Sequence, residues 1–362
     1  MKKVKKKSKG HKILVILLSV LTVIFVLLAG AAGTLWYMHG SGKRKLMQAS
    51  VTETTSGDIQ REGQYIRYKG KEYKYKDSMI NILISGIDKH GSIDEKVQGI
   101  EGLADSIVLA SIDTENNELY LTAIPRDTMT EIRQTDTDGN FVKTTQDKLS
   151  LQYGYGADAT ESNELMVKAV SNILGSLPIQ RYCSLSMDAV PIINDTVGGV
   201  DIVPTEDVIG NGLIWFYAGQ PYHLWGQDAL KYVQTRDSNT QGSAMVRLDR
   251  QKQYLMALYN QALSQIKGDL TLPVTLFNAV SPYLSTNISL DEVTYLATEL
   301  MDINFNPENF TQIPGEAVFD ETYKDGRTVF NVDYDGLQDC LIQTYYTEVP
   351  AADSQSVSSA SN

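Results

Sequence analysis

Carboxylates and an arginine stand at the ends of three short apolar runs in the first half of the chain. Asp88 closes NILISGID, Asp105 opens the next run within ADSIVLASID, and Arg126-Asp127 closes LYLTAIPRD. Short, β-branched and nearly continuous apolar runs read as strands covered on both faces. Ligands of open α/β sheets gather at strand ends, so two carboxylates and an arginine are placed to converge there. Carboxylate oxygens without His or Cys company suit Mg2+ bridging a phosphate, and nothing resembles a zinc site. Read singly, Asp88 and Asp127 are turn caps, a common fate of Asp after a strand.

A second constellation lies in TRDSNTQGSAMVRLDRQ, residues 235–251. With Ser243 as the cap of a helix, Arg247 falls in its first turn, and Arg250 and Gln251 follow at i+3 and i+4 on the same face. A helix start carrying arginines is a favourable place for phosphate. The stretch from Lys148 to Gln251 holds seven basic residues, and four of them are Lys148, Arg236, Arg247 and Arg250. Lys148, in DKLSLQYGYG, has the context of a loop or a helix start. The four histidines, His11, His39, His90 and His223, assemble no Ser-His-Asp set, and neither cysteine sits in a catalytic signature. No Walker loop or dinucleotide fingerprint occurs. What remains is charge neutralisation and positioning of a phosphoryl group by metal and arginines.

Alternating elements must hold these residues. YIRYKGKEYKYK, residues 65–76, alternates around Lys69-Gly70 as a hairpin. Residues 79–88, 106–113 and 118–127 read as strands, with Asn116-Asn117 turning the second into the third. Leu165, Ala169 and Ile173 recur at helical spacing before Gly175, a stop signal. Residues 182–188 and 199–203 read as strands, and Leu248, Leu255, Tyr259, Ala262 and Ile266 mark a long amphipathic helix from Ser243. SLDEVTYLATELM, 289–301, predicts one more core-packing helix. Mixed strands and helices point to an α/β fold, a three-layer α/β/α sandwich with a mixed central sheet.

The 362 residues carry 32 Lys+Arg against 44 Asp+Glu, and seven of the lysines fall within residues 1–12. The remainder, 25 basic against 44 acidic, would be repelled by a nucleic-acid backbone, so no nucleic-acid partner is expected. Ile13 to Tyr37 holds no charge, ends on Trp36-Tyr37 and is long enough to cross a bilayer as a helix. The preceding lysines predict a cytoplasmic N-terminus and an extracellular body. Ala29-Gly30-Ala31 offers the competing reading of a cleaved signal peptide. The expected organisation is a basic tail (1–12), a transmembrane helix (13–37), a juxtamembrane linker (38–64), an extracytoplasmic domain (65–349) and a disordered tail (350–362). Cys183 and Cys340 would then lie outside the cytosol, as a disulfide or as two buried thiols.

The order of motifs resembles the LytR-CpsA-Psr family of cell-wall glycopolymer transferases. NILISGID, ADSIVLASID, LYLTAIPRDT, KLSLQYGYG, DTVGGVDIVP and YHLWGQDALKYVQTRDSNTQGSAMVRLDRQ carry the likeness, which is closest over residues 79–270. The resemblance implies a Mg2+-dependent transferase that takes a glycopolymer from an undecaprenyl-pyrophosphate carrier and joins it to a peptidoglycan hydroxyl. By matched motif, Asp88 and Asp105 would hold Mg2+, Arg126, Arg236 and Arg247 would clamp the pyrophosphate, and Lys148 and Gln251 would complete the site with Arg250 nearby. Asp88 is also the candidate to take the acceptor's proton. The prenyl tail would enter an apolar tunnel between sheet and helices. Two positions depart from the family pattern: Leu103 stands where members commonly have Arg, and Ala244 where many have an acid. A non-catalytic sensor of lipid-linked wall intermediates and a polyprenyl-pyrophosphate pyrophosphatase are the alternative functions.

Overall fold

The computed structural model describes residues 45–46, 60–62, 65–94, 102–210, 212–235, 243–269, 272–289, 291–292, 295–296, 303, 306–324 and 326–350. The expected basic tail, transmembrane segment and final residues 351–362 lie outside these, as do Arg236 and most of 293–302. Among the described residues no helix is long and apolar enough to cross a membrane.

The chain opens with β1 (Gln60–Glu62), β2 (Tyr65–Tyr68) and β3 (Lys71–Tyr75). Lys69 and Gly70 both take positive φ, 47° and 79°, which is what a two-residue hairpin with the native strand twist requires. β4 (Met79–Ile87), β5 (Ala104–Asp113) and β6 (Glu118–Ile124) then form an antiparallel meander, β5 and β6 joined by a four-residue turn, 114–117, that ends on Asn116 and Asn117. All nine residues of β4 are buried, as its unbroken apolar run demands. β7 (Met129–Thr135) and β8 (Phe141–Lys148) make a hairpin, followed by a 3-10 turn, Leu149–Tyr155, and helix α1 (Ala159–Ile173). Asp158 caps α1 by accepting from the Glu161 N–H, and Gly175, at φ 62°, follows its end.

The second half brings β9 (Arg181–Ser186), α2 (Ala189–Thr196), the short β10 (Val200–Ile202), β11 (Val208–Gly210), β12 (Leu213–Phe216) and β13 (Tyr222–Leu224), then α3 (Gln227–Gln234) and the long α4 (Ser243–Gly268). α5 (Leu272–Val280), β14 (Leu284–Thr286), β15 (Phe310–Gln312), the hairpin β16 (Gly315–Asp320) and β17 (Arg327–Val332), α6 (Tyr334–Tyr345) and β18 (Tyr346–Glu348) complete it.

The central sheet has the order β14-β9-β4-β5-β6-β15 and is mixed, with β4–β9 and β6–β15 parallel and its other pairs antiparallel. Strand alternation divides its side chains between two cores. Ile80, Ile82, Ile84, Val108, Ala110 and Ile112 face α2 to α5, while Leu83, Ile87, Ile107 and Leu109 face α1 and α6. Helices therefore cover both faces of the sheet. Cys183 is buried in the first core, whereas Cys340 is exposed on α6 at the other face, and both thiols are free. No disulfide joins them, and of the two thiols expected to be buried only Cys183 is. Leu46 is fully buried in the first core and Lys45 pairs with Asp291 at 2.8 Å. The stretch expected to be a linker supplies packing of its own, and β1 adds an outer strand to β2.

Candidate functional site

β4 ends, β5 begins and β6 ends at one edge of the sheet, because Ile87 pairs with Ala104 and Ile107 with Ile124. Asp88, Asp105 and Arg126 are thereby gathered at that edge, as the strand-end reading requires. Gly86 pairs with Ser106 and Ile87 with Ala104, so Asp105 is the extra residue of a β-bulge. A bulge re-aims the side chain it carries. Here it leaves Asp105 2% exposed and facing Arg126, whose Nη1 donates to Asp105 Oδ1 at 2.7 Å. Pro125 brings Arg126 into place. It follows the last strand residue, and its carbonyl accepts from the Thr128 N–H at 3.0 Å and from Thr128 Oγ1 at 2.6 Å, closing a tight turn around Arg126-Asp127.

The ladder of charge continues through Asp127. Its carboxylate lies 3.8 Å from Arg126 Nε and 2.7 Å from Lys148 Nζ. Lys148 ends β8 and precedes the 3-10 turn, close to the context read for it. Leu149 N–H donates to the Thr128 carbonyl at 2.8 Å and Ser150 N–H to that of Arg126 at 3.0 Å, so the backbone fixes Lys148 beside the Arg126 turn. Asp105, Arg126, Asp127 and Lys148 alternate in sign. Such an array holds its cations in place before a ligand arrives.

Sequence reasoning missed the element that covers Lys148. The β16–β17 hairpin supplies the Thr328 carbonyl, which accepts from Lys148 Nζ at 2.6 Å, and the Tyr323 ring, 5.3 Å from the same ammonium. Phe330 N–H donates to the Asp127 carbonyl at 2.8 Å. Asp147, next to Lys148, accepts from Tyr323 and pairs with Lys324 at 2.7 Å. Burial alone would raise the Asp147 pKa, but the Lys324 and Tyr323 contacts outweigh it and hold the carboxyl below its ordinary range. The residues from 271 to 349 showed no chemistry in sequence because a hairpin that acts through a carbonyl and a ring face has no motif.

The second constellation is described in part. α4 begins at Ser243, where the cap was expected, and carries Arg247, Arg250 and Gln251 on its first turns. Of these, the Arg250 side chain is described. It is 5% exposed, donates through Nη2 to the Thr235 carbonyl and lies 5.8 Å from the Tyr232 ring. Burial pulls its pKa down, with the Glu206 charge opposing. Arg250 therefore secures the residue immediately before Arg236.

Among the described residues no group of three or more His, Cys, Asp or Glu is arranged to hold a metal. Mg2+ commonly takes one or two carboxylates and completes its shell with water and phosphate oxygens. Asp88 and Asp105, at neighbouring strand ends with Asp88 N–H donating to the Leu103 carbonyl at 2.9 Å, supply donor chemistry of that kind. One oxygen of Asp105 is already shared with Arg126.

A mixed α/β body with carboxylates and cations alternating at one end of a mixed central sheet defines the class. The chain belongs to the LytR_cpsA_psr family, whose model matches residues 42–344. It is 29% identical over 231 residues to the polyisoprenyl-teichoic acid--peptidoglycan teichoic acid transferase TagV of Bacillus subtilis (strain 168), a match covering 62% of this chain and 54% of the relative. It is 25% identical over 278 residues to TagU of the same organism, named for the same activity, covering 77% and 79%. The crystal structure of B. subtilis TagV superimposes with a TM-score of 0.52 at 25% identity, over 74% of this chain and 96% of that one.

Proposed function

We propose that this protein transfers a glycopolymer from a polyprenyl-pyrophosphate carrier to a hydroxyl of peptidoglycan. The acceptor oxygen attacks the phosphorus bonded to the glycopolymer and loses its proton. The P–O–P bond breaks, polyprenyl phosphate leaves, and a phosphodiester joins polymer to wall. Family membership and the likeness to TagU and TagV support this reading, and the observation that carries it on this chain is the charge ladder Asp105–Arg126–Asp127–Lys148 at the strand ends.

Arg126 and Lys148 bind and orient the pyrophosphate, exchanging part of their contacts with Asp127 and Thr328 for phosphate oxygens. By their matched motif Arg236, Arg247 and Gln251 complete the head-group site, and Arg250 secures Thr235, the residue before Arg236. Asp88 and Asp105 are the residues that would hold Mg2+, which when bound neutralises charge on the departing phosphate. The apolar run Ile13–Tyr37 anchors the chain in the membrane beside its lipid-linked donor, with the body outside the cell.

The test is release of polyprenyl phosphate by the purified full chain in detergent, from a polyprenyl-pyrophosphate-linked glycan with peptidoglycan oligomers as acceptor. Release that needs acceptor, stops with chelator and returns with Mg2+ is expected. Release with water alone would make the protein a pyrophosphatase. Binding without release under all conditions would make it a sensor of lipid-linked intermediates.

A further inference from the structure

Immediately beyond β4, the Lys89 ammonium is buried and meets no hydrogen-bond acceptor among the described residues. The chain there is firmly placed. Lys89 N–H donates to the Ile87 carbonyl at 2.7 Å, and its own carbonyl accepts from Met187 N–H at 3.0 Å, so the segments leaving β4 and β9 remain tied past their last paired residues. Two hydroxyls at the same ends of the same strands are also without partners among the described residues: Ser85 Oγ, on a residue 1% exposed, and Ser186 Oγ, on a residue 0% exposed. Ser186 pairs with Ile87 and precedes Met187. Alternation places Ser85 and Ser186 on the face of the sheet that holds Leu83, Ile87 and Tyr182.

Their neighbour Ser184 behaves differently. It is bonded to Tyr153 Oη at 3.1 Å and to Asn163 Nδ2 at 2.9 Å, so this polar strip is satisfied further down the strand and unsatisfied at the strand ends, where the Lys89 backbone is tied to Met187. A buried ammonium without an acceptor is costly, and an ammonium only donates. The group that completes this niche must accept from the ammonium, and the positive charge favours an anion. It adjoins Asp88, on the same strand end as Arg126.

We infer that Lys89, with the hydroxyls of Ser85 and Ser186 beside it, is a further phosphate-binding niche of the site and takes an anionic oxygen of the lipid-linked pyrophosphate. The inference rests on the pyrophosphate reading of the site. It also gives Leu103 a context: the strand end lacking a cation at that position has one at Lys89, one residue past Asp88, whose N–H is bonded to the Leu103 carbonyl.

The test measures binding of geranylgeranyl pyrophosphate to the full chain in detergent, by calorimetry and by ligand-induced rise in Tm. Lys89→Met is expected to weaken binding by about tenfold or more, the loss of a charge-assisted contact, while raising the Tm of the ligand-free protein. Lys89→Arg is expected to retain binding to within about threefold, and Ser186→Ala to weaken it moderately. Lys148→Met serves as the control for the site itself. Unchanged binding in Lys89→Met alongside loss in Lys148→Met would overturn the niche and leave the pyrophosphate reading intact, the three groups then being satisfied by water. Unchanged binding in both would sink the two together. Should Lys89→Met fail to fold, Lys89→Gln and Ser186→Ala carry the same comparison.

Discussion

Arg126 holds two roles that a single substitution does not separate. Its guanidinium faces Asp105, which is 2% exposed, and in the proposed function it is also a cation offered to the pyrophosphate. Removing the cation beside a buried carboxylate costs about 3–5 kcal/mol, mostly the penalty of leaving the charge behind. Arg126→Ala is therefore expected to lose turnover and to lower the Tm together, which an activity assay alone would misread. Adding Asp105→Asn removes the stranded charge. The double variant is expected to recover most of the lost Tm and none of the turnover, measured by thermal melts and lipid phosphate release on the same preparations. Recovery of turnover would show that Arg126 acts only by neutralising Asp105. Arg250 presents the complementary case, since it is buried on Tyr232 and bonded to the Thr235 carbonyl. Arg250→Met keeps the apolar packing and deletes the donor, so it is expected to raise KM for the lipid donor severalfold with a small change in Tm. A fall in kcat at constant KM would instead place Arg250 in contact with the reacting phosphate.

The element whose importance escapes the sequence is the β16–β17 hairpin, docked on β8 through Asp147, Tyr323 and Lys324 and on Lys148 through Thr328. Because the Asp147 carboxyl is held below its unfolded value of about 3.9, its contribution to stability is fully present above that pH and is lost as pH falls through the lower folded value. Asp147→Asn is expected to melt below wild type at pH 7. The gap is expected to narrow progressively below about pH 4, where the wild-type carboxyl takes up its proton. A gap constant down to pH 2.5 would mean that the Lys324 and Tyr323 contacts do not shift Asp147. The contrast with β4 to β6 shows what sequence makes legible. Unbroken apolar runs, Asn116-Asn117 and Lys69-Gly70 are local signals, and the three strands and both turns follow from them. Asp88, Asp105 and Arg126 could be placed together because strand ends in a meander share an edge. The bulge at Asp105, the bridging by Asp127 and the cover over Lys148 depend on pairings between distant segments, 180 residues apart for Lys148 and Thr328. Lys89 was passed over for a different reason: a lysine after a strand is ordinary until its burial is known.

At the scale of the whole molecule the folded body begins nearer the apolar run Ile13–Tyr37 than composition suggested. Leu46 is fully buried in the core under α2 to α5, and Lys45 is paired with Asp291. Seven residues separate Lys45 from Tyr37, the last residue of the apolar run, a reach of about 28 Å at full extension. On the proposed anchoring, a body tethered so closely meets lipid-linked donor at an effective concentration in the millimolar range, far above that of a dilute free enzyme. Chains beginning at Met1, Gly42 and Tyr65 separate tether from fold. With donor embedded in vesicles and about 1 µM protein, the chain from Gly42 is expected to turn over at least about 100-fold more slowly than the full chain. With a short-prenyl donor soluble in water, the two are expected to agree within about twofold, since both retain Lys45 and Leu46. The chain from Tyr65 lacks Leu46, whose burial is worth about 1.5–3 kcal/mol, and is expected to melt lower and to be slower on both donors. Equal rates for the Met1 and Gly42 chains on vesicles would show that the anchor contributes nothing to meeting the donor. A Tyr65 chain as stable as the Gly42 chain would show that the contacts of Lys45 and Leu46 are incidental to the fold.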